Sequence, residues 1–416
     1  MRPLNILMLT SSYPKWAGEA TAPFIEEIAA GLVQRGHTIH VVLPYHPELR
    51  RNAVERGVVL HPFRYAPHPA LNVWGYAAAL KADVGLKGAA LAAAPLALMA
   101  SLAALMRQIS QQSRSFDLVH AHWVLPNGLP ALIAARLAHL PLVVSLHGSD
   151  VYLAEKAAAL SVTAAAIFRG SGGITACSAD LHQRALRLGA PVERTRTVPY
   201  GVDSAAFRPD PAAARQIRVD LGLPFDAPLV VSVSRLVYKK GLTYLIEAFA
   251  QVVSQHPNAI LVIGGYGDLR DELERQVQER GLSASVRFPG QLSREDSAAL
   301  IGAADVHVVP SIRDQNGNMD GLPNVLLEGM SAARPIVASR LAGIPDVIRD
   351  GEHGILVPER DPQSITAAII RLLDDRPLAK RLGANARQRV LEELTWDVAA
   401  LRFEQVYQQA LEQHDA

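Results

Sequence analysis

Cysteine is almost missing. Cys177 is the only one in 416 residues, so no intrachain disulfide can form, and the chain suits a reducing compartment. Charge of one sign is missing too: the net charge is +1, which gives no whole-chain pull toward nucleic acid or membrane, and any basic patch must be local. There is no internal repeat, no heptad pattern and no low-complexity tail apart from alanine richness near residues 77–105. Neither half carries G-x-G-x-x-G directly after a strand with an acid about twenty residues on, which argues against an oxidoreductase. The first ten residues form a short apolar run that soon meets Ser11, Ser12 and Pro14, and they read as a first strand rather than a signal peptide.

Long hydrophobic runs are scarce as well. Gly88 to Met106, which lies between Lys87 and Arg107 without a charge, reaches the length of a spanning helix. It is mostly alanine, with Pro95 in the middle, and alanine contributes little to insertion. A buried or surface-lying helix is expected there. Lys81, Lys87, Arg107 and Arg114 flank it, which suits peripheral attachment to an anionic membrane surface.

What is present is a globular chain, 49% hydrophobic and 19% charged, too long for one ordinary core. Short aliphatic runs alternate with amphipathic stretches, the pattern of a doubly wound α/β protein. In the first half the strands are expected at 5–9, 39–43, 118–121, 142–146 and 173–176, with a helix over 23–36 that ends on Gly36. A second set begins at Pro228, with strands at 229–233, 260–263, 286–288, 306–309 and 335–338. Helices are expected over 243–255, 269–280, 294–303 and 323–333. Pro, Gly, Asp and Ala crowd the stretch from Val198 to Pro228, as a linker does. The boundary falls near residue 205, giving domains 1–205 and 206–396, with a last helix, 397–416, packing back on the first. Ligands in such folds bind beyond the carboxyl ends of the strands, here in a cleft between the two sheets.

The chemistry-bearing residues cluster at those strand ends. Asp320-Gly-Leu-Pro-Asn-Val-Leu-Leu-Glu328 sets two carboxylates eight positions apart around a helix entry, with Pro323 placed in the first turn. The free amides of such an entry, at Gly321 and Leu322, seat a phosphate. Ser234-Arg235-Leu236-Val237-Tyr238-Lys239-Lys240-Gly241 puts cations at a strand end, where Arg offers a forked grip and Lys a point charge. Of these, Lys239 is assigned to the surface. Leu146-His147-Gly148-Ser149-Asp150 places a histidine after a buried strand, while Asp150 also suits a helix cap. His120 and His122 face one way on their strand. With His147 and Asp150 they lack the ligand spacing typical of zinc, so acceptor contact or packing is preferred to a metal site.

These motifs resemble the retaining, nucleotide-sugar-dependent glycosyltransferases of family 4 with the GT-B fold, two facing Rossmann-like domains with an interdomain cleft. The carriers are the E-x(7)-E pair (Asp320 standing for the first Glu), R-L-x-x-x-K-G, His-Gly-x-Asp, and Pro199-Tyr-Gly-Val-Asp203. The resemblance implies that Arg235, Lys240 and the Gly321–Leu322 amides hold the donor diphosphate, Glu328 the ribose and Asp320 the sugar. It implies further that His147 lies near the reacting carbon, with Gly18, Asp150 and Gly265 in substrate contact. Gly18 follows Ala17 where related enzymes have two adjacent glycines, and the shorter Asp320 must draw the donor closer or reach through water.

The function so implied is transfer of a sugar from a nucleoside diphosphate sugar, as co-substrate, to a glycan or lipid-linked acceptor in cell-surface polysaccharide synthesis. No metal or other cofactor, and no nucleic-acid partner, is expected. The location implied is cytoplasmic, at the inner face of the membrane. A nucleotide-sugar epimerase or a non-catalytic nucleotide-binding subunit of the same fold are the alternatives.

Overall fold

The structure is a computed structural model that describes residues 2–19, 22–66, 75–76, 80–81, 85–86, 88–112, 115–315 and 317–415. The chain divides into two units: Met1–Tyr200 with Trp396–Ala416, and Gly201–Thr395. The division falls after Tyr200, a little ahead of the linker-based expectation near 205.

The strands of the first unit are β1 Asn5–Leu9, β2 Thr38–Pro44, β3 Val54–Glu55, β4 Val58–Phe63, β5 Leu80–Lys81, β6 Gly85–Leu86, β7 Leu118–His122, β8 Leu142–Leu146, β9 Gly173–Ala176 and β10 Thr195–Thr197. Eight of them form one sheet in the order β10-β9-β8-β7-β1-β2-β4-β3, parallel except for β3 against β4; β5 and β6 make a separate hairpin. β1, β7, β8 and β9 are buried along their whole length. That is why β1 and β8 read as near-continuous apolar runs and not as alternation: helices cover both faces of such a sheet. β7 is as buried but carries His120 and His122. The edge strands β3 and β10, and β4 next to β3, carry no such run. β4, Val-Val-Leu-His-Pro-Phe, is broken by His61 and Pro62 and partly exposed, so it did not stand out from loop.

The helix Pro23–Gln34 closes with Gly36 at φ +93°, where the Gly36 amide donates to Val33 O and the His37 amide to Leu32 O. This is the paired 5→2 and 6→1 closure of a glycine-ended helix. The last helix, Trp396–Asp415, belongs to this unit. Phe403, Val406, Tyr407 and Ala410 join Leu4, Ile6, Ile28 and Val143 in one core cluster.

The second unit contains β11 Leu229–Val233, β12 Ile260–Gly264, β13 Val286–Gly290, β14 Val306–Val309, β15 Ile336–Ser339 and β16 Ile355–Val357, all parallel, in the order β13-β12-β11-β14-β15-β16. One core, around Phe249, Leu261 and Ile369, covers one side; another, around Val231, Val262 and Leu300, covers the other.

Both sheets reverse their winding beside the first strand. In the first unit the chain builds β1-β2-β4 outward, then returns to place β7 on the other side of β1; in the second it builds β11-β12-β13, then returns to place β14 beside β11. The segments leaving two adjacent strands at such a point part in opposite directions and open a crevice. The segments in question are those after β1 and β7, and those after β11 and β14. They hold most of the residues singled out from the sequence.

The Ala-rich stretch is helical from Gly88 to Gln111, with Pro95 inside. Ala97, Ser101 and Leu105 face inward, while Leu96 and Met99 are 56% and 67% exposed. Lys87 and Arg114 lie outside the described residues.

Candidate active site

In the second unit, backbone proximity brings the cations and the carboxylate together. After β11 the chain makes a 3-10 turn, Tyr238–Lys240, closed by Gly241 at φ +66°. A Cβ on Gly241 would sit 1.9 Å from the carbonyl oxygen of Pro310, just past β14. Only glycine allows that approach. The Ile312 amide then donates to Lys239 O at 2.8 Å and ties the turn to the segment leaving β14. Gly265 does the same on the other flank: its φ is +137°, and a Cβ there would lie 1.8 Å from Ser234 O. The contact seen for Gly265 is thus with the backbone next to Arg235.

The consequence is an ion triad. Lys240 Nζ lies 2.5 Å from Asp320 Oδ2, and Lys239 Nζ lies 3.4 Å from Oδ1. The side chains of Lys239, Lys240 and Asp320 are only 12%, 14% and 15% exposed. Burial pushes the Asp320 carboxyl up, but Lys240, Lys239 and Arg235 outweigh it and hold it well below the usual carboxylate range. Burial, with Lys239 and Arg235 nearby, lowers the Lys240 ammonium from its ordinary value, and Asp320 opposes that. Lys239, assigned to the surface from sequence, is therefore part of the cluster. The missed signal is the glycine after the lysine pair, which turns both lysines through one tight turn. Arg235 is exposed at the end of β11.

Beyond Asp320, Pro323 caps the helix Asn324–Ser331 from outside, with extended ψ, and is not in its first turn as expected. Gly321 and Leu322 are buried, and Gly321 O accepts from the Gly343 amide. Ser311 Oγ and Asn324 Oδ1 are buried polar atoms of the same region without a hydrogen-bond partner. Glu328 follows in that helix. Burial pushes its carboxyl up to about 7, with Arg294 and Lys240 pulling the other way. Asp203, from the Pro-x-Gly-Val-Asp junction, accepts from the Ala205 and Ala206 amides and pairs with Arg294 at 3.0 Å, which makes it a turn-forming residue.

In the first unit a histidine cluster occupies the ends of β7 and β8. His147 Nδ1 is 2.7 Å from Tyr200 OH, and its Nε2 is 3.1 Å from His122 Nδ1. Phe24 and Trp123 pack on its ring, each with centroids 4.8 Å away. His120, fully buried, bonds Ser145 Oγ through Nε2 and Tyr407 OH through Nδ1. Burial drives the His122 imidazole down to about 3 and lowers His120 and His147 well below the ordinary value, so all three are neutral. Among the described residues, no three His, Cys, Asp or Glu side chains are grouped to hold a metal ion. Apart from His122 Nε2, the histidine nitrogens bond to one another and to hydroxyls.

Asp150 is 1% exposed. One oxygen accepts from the His147 and Gly148 amides, the other from the Val124 amide at 2.9 Å. Burial raises its carboxyl to about 6 while those amides oppose the rise. Its contacts are with the backbone of the two segments leaving β7 and β8, so it fixes the loop that carries His147. Gly18 lies exposed in the segment after β1 at φ +81°, with open space where a Cβ would be.

Comparison with known proteins places this geometry. Residues 214–389 match the family described as glycosyl transferases group 1, and residues 20–201 match the glycosyl transferase 4-like domain. An uncharacterized glycosyltransferase of Methanocaldococcus jannaschii is 26% identical over 98% of this chain and 99% of its own length. The GDP-mannose-dependent alpha-(1-6)-phosphatidylinositol monomannoside mannosyltransferase of Mycobacterium tuberculosis is 32% identical over 65% of this chain and 71% of its own. Among solved structures, sucrose-phosphate synthase from Thermosynechococcus elongatus superposes with a TM-score of 0.76 at 21% identity, covering 99% of this chain and 100% of its own. Anabaena HepE, in complex with UDP and glucose, gives 0.73 at 20% identity over 97% and 98%. Two Rossmann-like units of the GT-B type, with both halves of the sequence matched, leave one conclusion: the chain belongs to the group 1 glycosyltransferases and is a nucleotide-sugar glycosyltransferase of the GT-B fold.

Proposed function

We propose that the protein is a retaining glycosyltransferase that moves a sugar from a nucleoside diphosphate sugar to a glycan or lipid-linked acceptor in cell-surface polysaccharide synthesis. The observation that carries the donor half is the set of Lys239, Lys240 and Asp320 at the winding reversal of the second unit, with Glu328 in the helix that follows. Arg235 and Lys240 would take the leaving diphosphate together with the Gly321 and Leu322 amides. Fixed donors of this kind act where negative charge develops in the transition state, which makes them the largest electrostatic contribution to the rate. Glu328 would hold the ribose hydroxyls and Asp320 the sugar. The cationic side chains would do the work of a metal, and none is invoked. Retention follows from attack on the face the diphosphate leaves, with the departing phosphate taking the acceptor's proton.

The first unit would take the acceptor, with His147 beside the reacting carbon. Its exposed Leu96 and Met99, on a helix of which the segment Ala93–Gln111 is only 17% buried, support peripheral membrane association and a lipid-linked acceptor on the cytoplasmic side.

The similar proteins differ in nucleotide: one is named GDP-mannose-dependent, another is seen with UDP and glucose. The test is therefore calorimetric and thermal-shift titration against UDP, GDP, ADP and dTDP without added metal. Stabilisation by one nucleotide supports the reading and identifies the donor class. No response to any of them removes the working-transferase reading, and nucleotide binding without turnover would replace it with a non-catalytic nucleotide-binding subunit. Conversion of the donor to an isomeric nucleotide sugar without acceptor would replace it with an epimerase.

A further inference from the structure

We propose that Asp320 is an internal stand-in for the donor diphosphate: it occupies Lys239 and Lys240 in the free protein and is released toward the sugar when the diphosphate takes both lysines. This rests on the donor-site reading above and adds Lys239 as a second diphosphate-binding lysine.

The geometry points this way. Each oxygen of one carboxylate takes one lysine, Oδ2 at 2.5 Å and Oδ1 at 3.4 Å. The two lysines leave the same 3-10 turn, which the Gly241–Pro310 contact and the Ile312 amide hold in place. Two ammonium groups so fixed offer donors only, and a diphosphate, with more acceptor oxygens and more negative charge than one carboxylate, can engage both. All three side chains are largely withdrawn from solvent, where opposite charges attract more strongly than at the surface and a charge without a partner is costly. Asp320 can leave only as other negative charge arrives, and the donor's diphosphate brings it. Sugar recognition is then conditional: the carboxylate that would grip sugar hydroxyls becomes available after the diphosphate is seated. A free sugar without its diphosphate meets an acid that is already engaged.

The sign of one substitution separates this from a purely sugar-holding or structural Asp320. Asp320→Asn keeps the shape and removes the competing anion. Calorimetry with UDP, GDP, ADP and dTDP on the full chain should show the nucleotide preferred by the wild type binding about tenfold tighter to Asp320→Asn, because the latched fraction no longer lowers apparent affinity. Equal or weaker binding overturns the proposal and leaves the donor site standing. Absence of nucleotide binding by the wild type removes both. In the Asp320→Asn background, where no latch remains, Lys239→Gln isolates that lysine's own contact. Affinity should fall back about tenfold, the scale of a charge-assisted hydrogen bond; unchanged affinity takes Lys239 out of the diphosphate seat.

Discussion

His122 Nδ1 and His147 Nε2 lie 3.1 Å apart, so a single proton serves both rings at that contact. The other nitrogen of His147 faces Tyr200 OH, and the other nitrogen of His122 is buried without a partner. Proteins leave a buried N–H unpaired more rarely than a buried acceptor. The arrangement therefore favours the proton on Nδ1 of both rings: His122 donates to His147, and His147 donates to Tyr200.

Nitrogen-15 spectra of the imidazoles should show that tautomer for both residues. Tyr200→Phe removes the acceptor of the His147 Nδ1–H but keeps the stack on Phe24, whose centroid lies 4.7 Å from the Tyr200 ring. The His147 tautomer should change, and turnover should fall roughly tenfold, the scale of one lost hydrogen bond near 1.4 kcal/mol. The melting temperature should move little. An unchanged spectrum would mean that Tyr200 does not set the ring.

The cluster makes the fold acid-sensitive. His122, held near 3 against 6.5, stays neutral in the folded chain while the unfolded chain takes up protons as the pH drops below 6.5. Stability is complete above the ordinary value and is lost progressively as pH falls from there toward 3. At about pH 5 the loss is about 2 kcal/mol for His122, and fully buried His120, also lowered by burial, acts in the same direction. Urea unfolding at about pH 7.5 and pH 5 measures it, and His122→Gln should reduce the difference.

Glu328 responds in the opposite sense. Its carboxyl is raised to about 7, so it is neutral below that value and a good acceptor for hydroxyls above it. Nucleotide affinity should rise between about pH 6 and pH 8, and the rise should be smaller in Glu328→Gln, where only the phosphate's own titration remains. The same shift means that the folded chain is penalised as pH climbs from 4.5 through 7, so Glu328→Gln should melt higher than the wild type at high pH. Glu328→Ala should weaken nucleotide binding and leave the fold intact.

Lys240→Ala removes the nearest partner of Asp320 and one cation of the diphosphate seat. Turnover should fall about a hundredfold or more, as for loss of one preorganised donor to a developing charge. Wild-type rates would return the lysine turn to the surface.

Tyr407→Phe tests the attachment of the last helix to the first sheet. Its hydroxyl is the partner of His120 Nδ1 in the core. Leaving that nitrogen unpaired should cost about 1–3 kcal/mol of stability, read as a lower urea midpoint at an unchanged slope.

Much of this was legible beforehand where burial on both faces writes long apolar strands. β1, β7, β8, β11 and β12 announce themselves, and the glycine after Arg35 marks the end of its helix. The strand β4 and the edge strands β10 and β16 were not seen: β4 is interrupted by His61 and Pro62, and the other two are only three residues long. In the second unit the motifs singled out Lys240 and Asp320, which the structure brings together. Spacing could not show that Lys239 turns inward, because that depends on Gly241 meeting Pro310 about seventy residues further along the chain, nor that Asp150, read as suiting a helix cap, also accepts from the Val124 amide after β7. Contacts distant in sequence leave no local periodicity.

The return of Trp396–Asp415 to the first unit has a consequence for how the chain is made. The second unit is an insertion whose residues are contiguous, so it can complete its own core during translation. The first unit, though it leads the chain, waits for Phe403, Val406 and Tyr407 to emerge before its sheet is covered. On the ribosome the order of maturation is reversed from the order of synthesis, and in the interval one face of β1 and β8 lacks its cover.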